Sequence, residues 1–280
     1  MRKLDIPSII GKEKEIYIEC AKDFVRKEEY VKTALAYAEE VEKCSKEYEN
    51  YVPYDIANFP HIAIEDGHKA ILNKIYDQKF AKENSIGRKY YNLIMGNAKG
   101  RCPICGGGKL KNLDHFLPKS KYPLLCVTPI NLIPTCRDCN MEKGAEVSDD
   151  YYAIPFHPYL EAMTDKWIEC TLVFYPDGTF SIKFENGYDA IKNPDLWRKY
   201  SAHMRITDLD ATFSSRAQEE LENVRGIYKN ELLSCGENKL CESLKDVKDS
   251  AEKVDVNSWK SALYRALVRD CDEFCEWLCL

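Results

Sequence analysis

The chain has 280 residues, 45% of them apolar and 11% aromatic, which is enough to fill a real core and excludes a disordered or low-complexity protein. No run approaches the roughly 18 apolar residues of a membrane span, and Asp5 and Pro7 break the apolar start, so a cytoplasmic location is expected. The net charge of -6 argues against bulk coating of nucleic acid, and thirteen cysteines, an odd number in a large chain without a signal peptide, fit thiols and metal ligands better than disulfides.

From Lys12 to about Tyr51 the sequence is rich in Glu, Lys, Ala and Tyr without Pro or Gly, and Val31, Leu35, Ala38 and Val41 recur at helical spacing. One or two amphipathic helices are expected, with Glu39-Glu-Val-Glu42 as a solvated face. Pro53 and Pro60 interrupt the pattern, which resumes behind Glu65 and Asp66 with Ile64, His68, Ile71, Leu72 and Ile75. A short helix over Lys89 to Met95 delivers the chain to Gly96. Between Gly100 and Gly144 the texture changes to Gly, Pro, Cys and short apolar runs, which suits a small metal-stabilised unit. After Pro158, Trp167–Phe174 and Thr179–Phe184 flank Tyr-Pro-Asp-Gly, the signature of a hairpin. The rest reads as helical, with one stripe of Leu209, Phe213, Ala217, Leu221, Val224, Tyr228 and Leu232 and another of Leu263, Leu267, Cys271, Phe274 and Leu278. The expected class is α+β, mainly helical, in three regions: residues 1–95, 96–150 and 151–280.

Cys102-Pro-Ile-Cys105 and Cys136-Arg-Asp-Cys139 are two C-x-x-C knuckles. Each supplies two thiolates from one tight turn, so the two complete a tetrahedron around Zn²⁺ and leave no position for water, which makes the role structural. Charge is concentrated in the same place. Residues 99–144 carry eight Lys and Arg against three acids, a surplus of five, which leaves 32 against 43, or -11, for the rest. An acidic frame around one basic island suits an enzyme that meets phosphate at one site. Cys271, Cys275 and Cys279 lie at i, i+4 and i+8 and read as core packing in preference to a metal site. His157 reads either as a neighbour of the central unit or as a structural histidine, and His61, His68 and His203 carry no local signature.

Between the knuckles run Leu113-Asp-His-Phe-Leu-Pro-Lys-Ser-Lys-Tyr-Pro123 and Asn131-Leu-Ile-Pro-Thr135, and the second knuckle continues as Asn140-Met-Glu-Lys-Gly144. These D-H-x-x-P, N-L-x-P and C-x-x-C-N-x-x-K-G segments resemble the HNH, or ββα-metal, nuclease family over about a sixth of the chain. The resemblance implies phosphodiester hydrolysis of DNA. It makes His115 the general base, Asp114 and Asn140 the ligands of a catalytic Mg²⁺ or Mn²⁺, and Asn131 the residue that orients the histidine. The final ligand position is Asn140 where the family more often has His, and an amide oxygen favours Mg²⁺ or Mn²⁺ over Zn²⁺ or Ni²⁺. Lys119, Lys121 and Lys143 are candidate phosphate contacts. The spelling is especially similar to the HNH subunits of Septu-type bacterial anti-phage systems, which implies an ATPase partner and docking surfaces outside the motif. The alternatives are a zinc-knuckle module that binds nucleic acid or protein without cutting, and a self-sufficient restriction-type nuclease whose remaining helices stabilise the catalytic unit or form a homo-oligomer.

Overall fold

The Pro- and Gly-free stretch after Lys12 folds as three helices, α1 (Glu13–Lys22), α2 (Glu28–Ala36) and α3 (Ala38–Asn50), one more than the periodicity alone allowed. Tyr37, at φ -94° and ψ 2°, separates α2 from α3, while Tyr51 and Pro53 lie outside the described residues. The computed structural model describes residues 3–280 apart from 26, 51–57, 146, 162 and 164. These form two units, Lys3–Ala162 and Met163–Leu280.

In the first unit α1 buries Ile16, Tyr17 and Cys20, and α3 buries Val41, Cys44 and Tyr48, each set at the three-and-four spacing of one helical face. Helix α4 (Asp66–Lys74) opens where the acidic pair sets it and runs straight into a π-helical turn over Ile75–Phe80. The wider turn carries Ile75, Tyr76 and Phe80 into the core. Helix α5 (Arg88–Asn97) follows. Strand β1 (Leu110–His115) then pairs antiparallel with β2 (Leu132–Cys136), with a register shift between Leu110 and Asn112. The short helix α6 (Arg137–Lys143) ends at Gly144, whose φ of 59° suits a residue without Cβ. Leu113, Leu125 and Leu132 share one hydrophobic cluster with Ile16, Val41, Phe80, Ile94 and Tyr159. The early helices and the cysteine segment are therefore built on a common core.

The second unit starts with the expected hairpin, β3 (Ile168–Phe174) and β4 (Phe180–Asn186), closed by a turn in which the Gly178 N–H donates to the Tyr175 carbonyl at 3.0 Å. Helices α7 (Pro194–Ile206), α8 (Leu209–Cys235), α9 (Glu237–Val254), α10 (Trp259–Arg269) and α11 (Cys271–Cys279) follow. Arg265 and Arg269 donate to the Ile168 and Cys170 carbonyls of β3, and Asp210 accepts from the Phe184 N–H of β4, so side chains cover both edges of the hairpin. Along the α8 stripe Leu209, Phe213, Ala217, Leu221 and Tyr228 are buried, whereas Val224 and Leu232 are half-buried. The second stripe is buried as expected but divides at Asp270 into α10 and α11.

One cysteine expectation is overturned. Cys271 forms a disulfide with Cys241 of α9, so the thiols are not all free. Cys275 is buried, as core packing requires, but Cys279 is exposed. Among the described residues, no helix is long and apolar enough to cross a membrane.

Candidate functional site

The two knuckles bring Cys102, Cys105, Cys136 and Cys139 together in the first unit, all buried, with sulfurs within 4.8 Å of one another. Four sulfurs at about 2.3 Å from a tetrahedral zinc stand roughly 3.8 Å apart, and Cys105 Sγ lies 3.9 Å from Cys136 Sγ. The donor set and its spacing fit a zinc ion. In the first knuckle the Gly106 N–H donates to the Cys102 carbonyl at 2.9 Å, and Gly106 turns at φ 72°. The Gly108 N–H donates to Cys105 Sγ at 3.3 Å and the Cys139 N–H to Cys136 Sγ at 3.5 Å. Gly108 has a second role, because a Cβ there would lie 2.6 Å from Cys136 Cβ and 2.7 Å from its Sγ.

Without a cation the four thiols share their protons unevenly. Hydrogen bonds from its neighbours, Cys102 first, hold the Cys105 thiol well below its ordinary value and bring Cys136 down to about 7. Cys102 and Cys139 are pushed up, chiefly as partners in those same hydrogen bonds. Four thiolates together require a bound cation.

Three of the motif residues, Asp114, His115 and Asn140, line a cleft of about 530 Å³ together with Tyr76, Arg88, Tyr91, Lys111 and Lys119. Successive side chains of a strand point to opposite sides, so Asp114 turns toward α6 while His115 turns toward the loop before β2. His115 is only 7% exposed, and its Nε2 lies 2.9 Å from the Cys126 carbonyl. A carbonyl can only accept, so Nε2 carries the proton and Nδ1 keeps the lone pair. Burial pushes the imidazole down to about 3, against the Cys126 hydrogen bond, so the ring is neutral at neutral pH. The Tyr76 ring stands edge-on at 4.3 Å, and its hydroxyl donates to the Leu113 carbonyl at 2.9 Å.

Asn131 does not touch His115 directly. Its Oδ1 accepts from the Leu117 N–H at 2.8 Å, and its Nδ2 donates to the Leu117 and Leu125 carbonyls at 3.0 and 3.4 Å. It thereby closes the loop whose next residue, Cys126, holds the histidine.

Lys143 is also placed differently from expectation. It is 6% exposed, with its Nζ 3.1 Å from Asp114 Oδ2 and donating to the His115 carbonyl at 2.9 Å. A buried ammonium in this position is not an external phosphate contact. Burial raises the Asp114 carboxyl and Lys143 opposes it. Oδ2 is close to the ammonium but receives no well-directed hydrogen bond among the described residues.

Lys119 does line the cleft, paired with Asp77 and lying 5.0 Å over the Tyr76 ring, whereas Lys121 is exposed outside the lining. His157 is structural: it is fully buried, with Nε2 3.1 Å from the Tyr48 hydroxyl and Nδ1 accepting from the Tyr159 N–H.

Tyr76 and Arg88 come from outside the motif. A faint signal existed for Tyr76, since the apolar step from Ile75 to Phe80 is five residues, the i→i+5 span of a π-helical hydrogen bond. Nothing local marked Arg88.

No family model matches the chain, and no solved structure matches it. It is 35% identical over 143 residues to protein ea31 of Escherichia phage lambda, a stretch covering 49% of this chain and 46% of that protein. It is 33% identical over 82 residues to the Septu protein PtuB of Bacillus thuringiensis, covering 27% of this chain and 32% of that protein. The chain thus spans less than half the length of these relatives.

Proposed function

We propose that this protein is a metal-dependent endonuclease of the HNH type that hydrolyses phosphodiester bonds in DNA. The observation that carries the reading is a histidine whose Nε2 is tied to the Cys126 carbonyl and whose Nδ1 has no hydrogen bond among the described residues, in the same polar cleft as Asp114 and Asn140. Nδ1 of His115 accepts the proton of a water whose oxygen attacks phosphorus as the bond to the leaving sugar oxygen breaks. Asp114 and Asn140 offer the oxygen donors that suit Mg²⁺ or Mn²⁺. Such a cation, when bound, neutralises charge developing on the phosphate and leaving oxygen. Asn131 and Cys126 keep His115 in its tautomer and orientation. Cys102, Cys105, Cys136 and Cys139 hold a structural zinc that ties the entrance of the β1–β2–α6 segment to its exit.

The similarity to a Septu protein supports a place in anti-phage defence beside an ATPase partner. The similarity to a phage protein shows no such context, so the chemistry rests on the cleft and the setting on the partner. The +5 island within a -11 frame offers few phosphate contacts, which favours a partner that supplies DNA affinity.

One observation favours a binding module that does not cut: the Lys143 ammonium already stands 3.1 Å from Asp114. Incubation of the purified chain with supercoiled plasmid, with and without Mg²⁺ or Mn²⁺, separates the readings. Metal-dependent nicking is expected, and stronger cutting when an ATPase partner is added. Binding without cutting under every metal supports the module.

A further inference from the structure

We infer that Arg88 is a substrate-binding residue of the cleft, whose guanidinium holds a backbone phosphate of the nucleic acid opposite Asp114, His115 and Asn140. The inference rests on the endonuclease reading above and supplies the anion contact that reading lacks. The placement of Arg88 starts at Gly87. A Cβ on Gly87 would lie 2.6 Å from the Lys79 carbonyl oxygen, 2.7 Å from Cys20 Sγ and 2.8 Å from Phe80 Cα. The chain is therefore pressed flat on the π-helical turn, and the Gly87 N–H donates to that same Lys79 carbonyl at 2.9 Å. This close approach fixes where α5 begins, and Arg88 is its first residue.

The guanidinium is held in place by uncharged groups. Nη1 donates to the Ala81 carbonyl, Nε donates to Asn92 Oδ1 at 3.1 Å, and Cζ sits 4.2 Å over the Tyr91 ring. None of the ion pairs among the described residues includes Arg88, and Nη2 has no hydrogen-bond partner among them.

The other cations of the region are spent or loose. Lys119 is paired with Asp77, Lys143 with Asp114, and Lys111 is an exposed, flexible side chain. Among the described cations of the cleft wall, Arg88 combines a fixed position, a charge in no ion pair and an unused N–H edge, with Glu83 as the one other acid beside Asp114 in the lining. A planar fork so arranged matches the oxygens of a phosphate, and orienting it before binding lowers the entropy lost when the anion arrives.

The test uses the full zinc-loaded chain, a DNA duplex and Mg²⁺. Steady-state kinetics are measured for wild type, Arg88→Gln and Arg88→Lys, and the salt dependence of duplex binding in a His115→Ala background. A charge-assisted contact of this kind predicts that Arg88→Gln loses about 10- to 100-fold in kcat/KM. The slope of log K against log salt should flatten by about 0.9, the loss of one phosphate contact. Zinc content and melting temperature stay unchanged, and Arg88→Lys keeps the salt slope but recovers only part of the rate.

Arg88→Gln with wild-type kcat/KM and salt slope overturns the assignment. So does a loss in Arg88→Gln and Arg88→Lys alike that follows a fall in melting temperature, since that marks a purely structural tether to Ala81. If wild type neither binds nor cuts DNA, alone or with an ATPase partner added, the endonuclease reading has failed and Arg88 falls with it. If wild type cuts and Arg88→Gln is indifferent, only the Arg88 assignment falls.

Discussion

Lys143→Met tests the buried pair at the heart of the cleft. Methionine replaces the aliphatic stem at similar volume, so the change removes mainly the ammonium, which stands 3.1 Å from Asp114 Oδ2. A buried carboxylate stripped of its partner costs about 3–5 kcal/mol, but it can escape by taking up a proton. Proton uptake limits the cost to about 1.4 kcal/mol for each pH unit above the unfolded carboxyl value near 3.9, or about 4 kcal/mol at pH 7 and about 1.5 kcal/mol at pH 5. The sign follows from the direction of the shift. Asp114 is already raised by burial, and without Lys143 it rises further, so the penalty is present at neutral pH and fades as pH falls.

Hydrogen exchange of peptides from residues 3–162, read in urea, measures that unit. All four tryptophans lie at or beyond Trp167, so their fluorescence reports the other unit and should not change. Adding Asp114→Asn should recover most of the loss. A cost below about 1 kcal/mol at pH 7, or an equal cost at both pH values, refutes the buried pair.

Gly108→Ala should release zinc and unfold residues 3–162, because its Cβ would lie 2.7 Å from Cys136 Sγ; metal analysis showing one retained zinc in a folded variant would contradict this. His203, fully buried and pushed down to about 3 by desolvation, binds its proton only in the unfolded chain between the ordinary 6.5 and that value. Stability of residues 163–280, followed by tryptophan fluorescence in urea, should therefore fall by up to about 1.4 kcal/mol per pH unit below 6.5, and less steeply in His203→Gln. Asn131→Ala leaves the Leu117 N–H and carbonyl without their side-chain partner, while the Leu125 carbonyl keeps only the Thr128 N–H, and it frees the loop that carries Cys126. It should cost about 2 kcal/mol and slow cleavage with zinc retained, a combination that denaturation, kinetics and metal analysis together check.

What the sequence disclosed, it disclosed where the physics is local. Two C-x-x-C turns need only their own spacing to present sulfur pairs, and Tyr-Pro-Asp-Gly closes its hairpin within four residues. Asp114, His115 and Asn140 were legible as a set because the motif binds strand, loop and helix into a short span, and they do line one cleft.

Long-range pairings left no such trace. Cys241 meets Cys271 thirty positions away on another helix. Lys143 looks like any solubilising lysine until β1 places a carboxylate beside it. Asn131 was legible as the residue that orients the histidine, but not how it reaches it, which is through the loop that carries the Cys126 carbonyl. Arg88 enters the cleft only because Gly87 lets α5 pack against the π-helical turn.

Single-turnover cleavage of supercoiled plasmid by the zinc-loaded chain in Mg²⁺ at neutral pH, wild type against His115→Ala, tests the role of His115. A general base contributes about 10²- to 10⁴-fold, so a loss in that range is predicted, with zinc stoichiometry and hydrogen exchange unchanged and no cleavage of either form in EDTA. Equal rates for the two proteins, or cutting that ignores the metal, would contradict the assignment of His115 and the hydrolytic chemistry built on it.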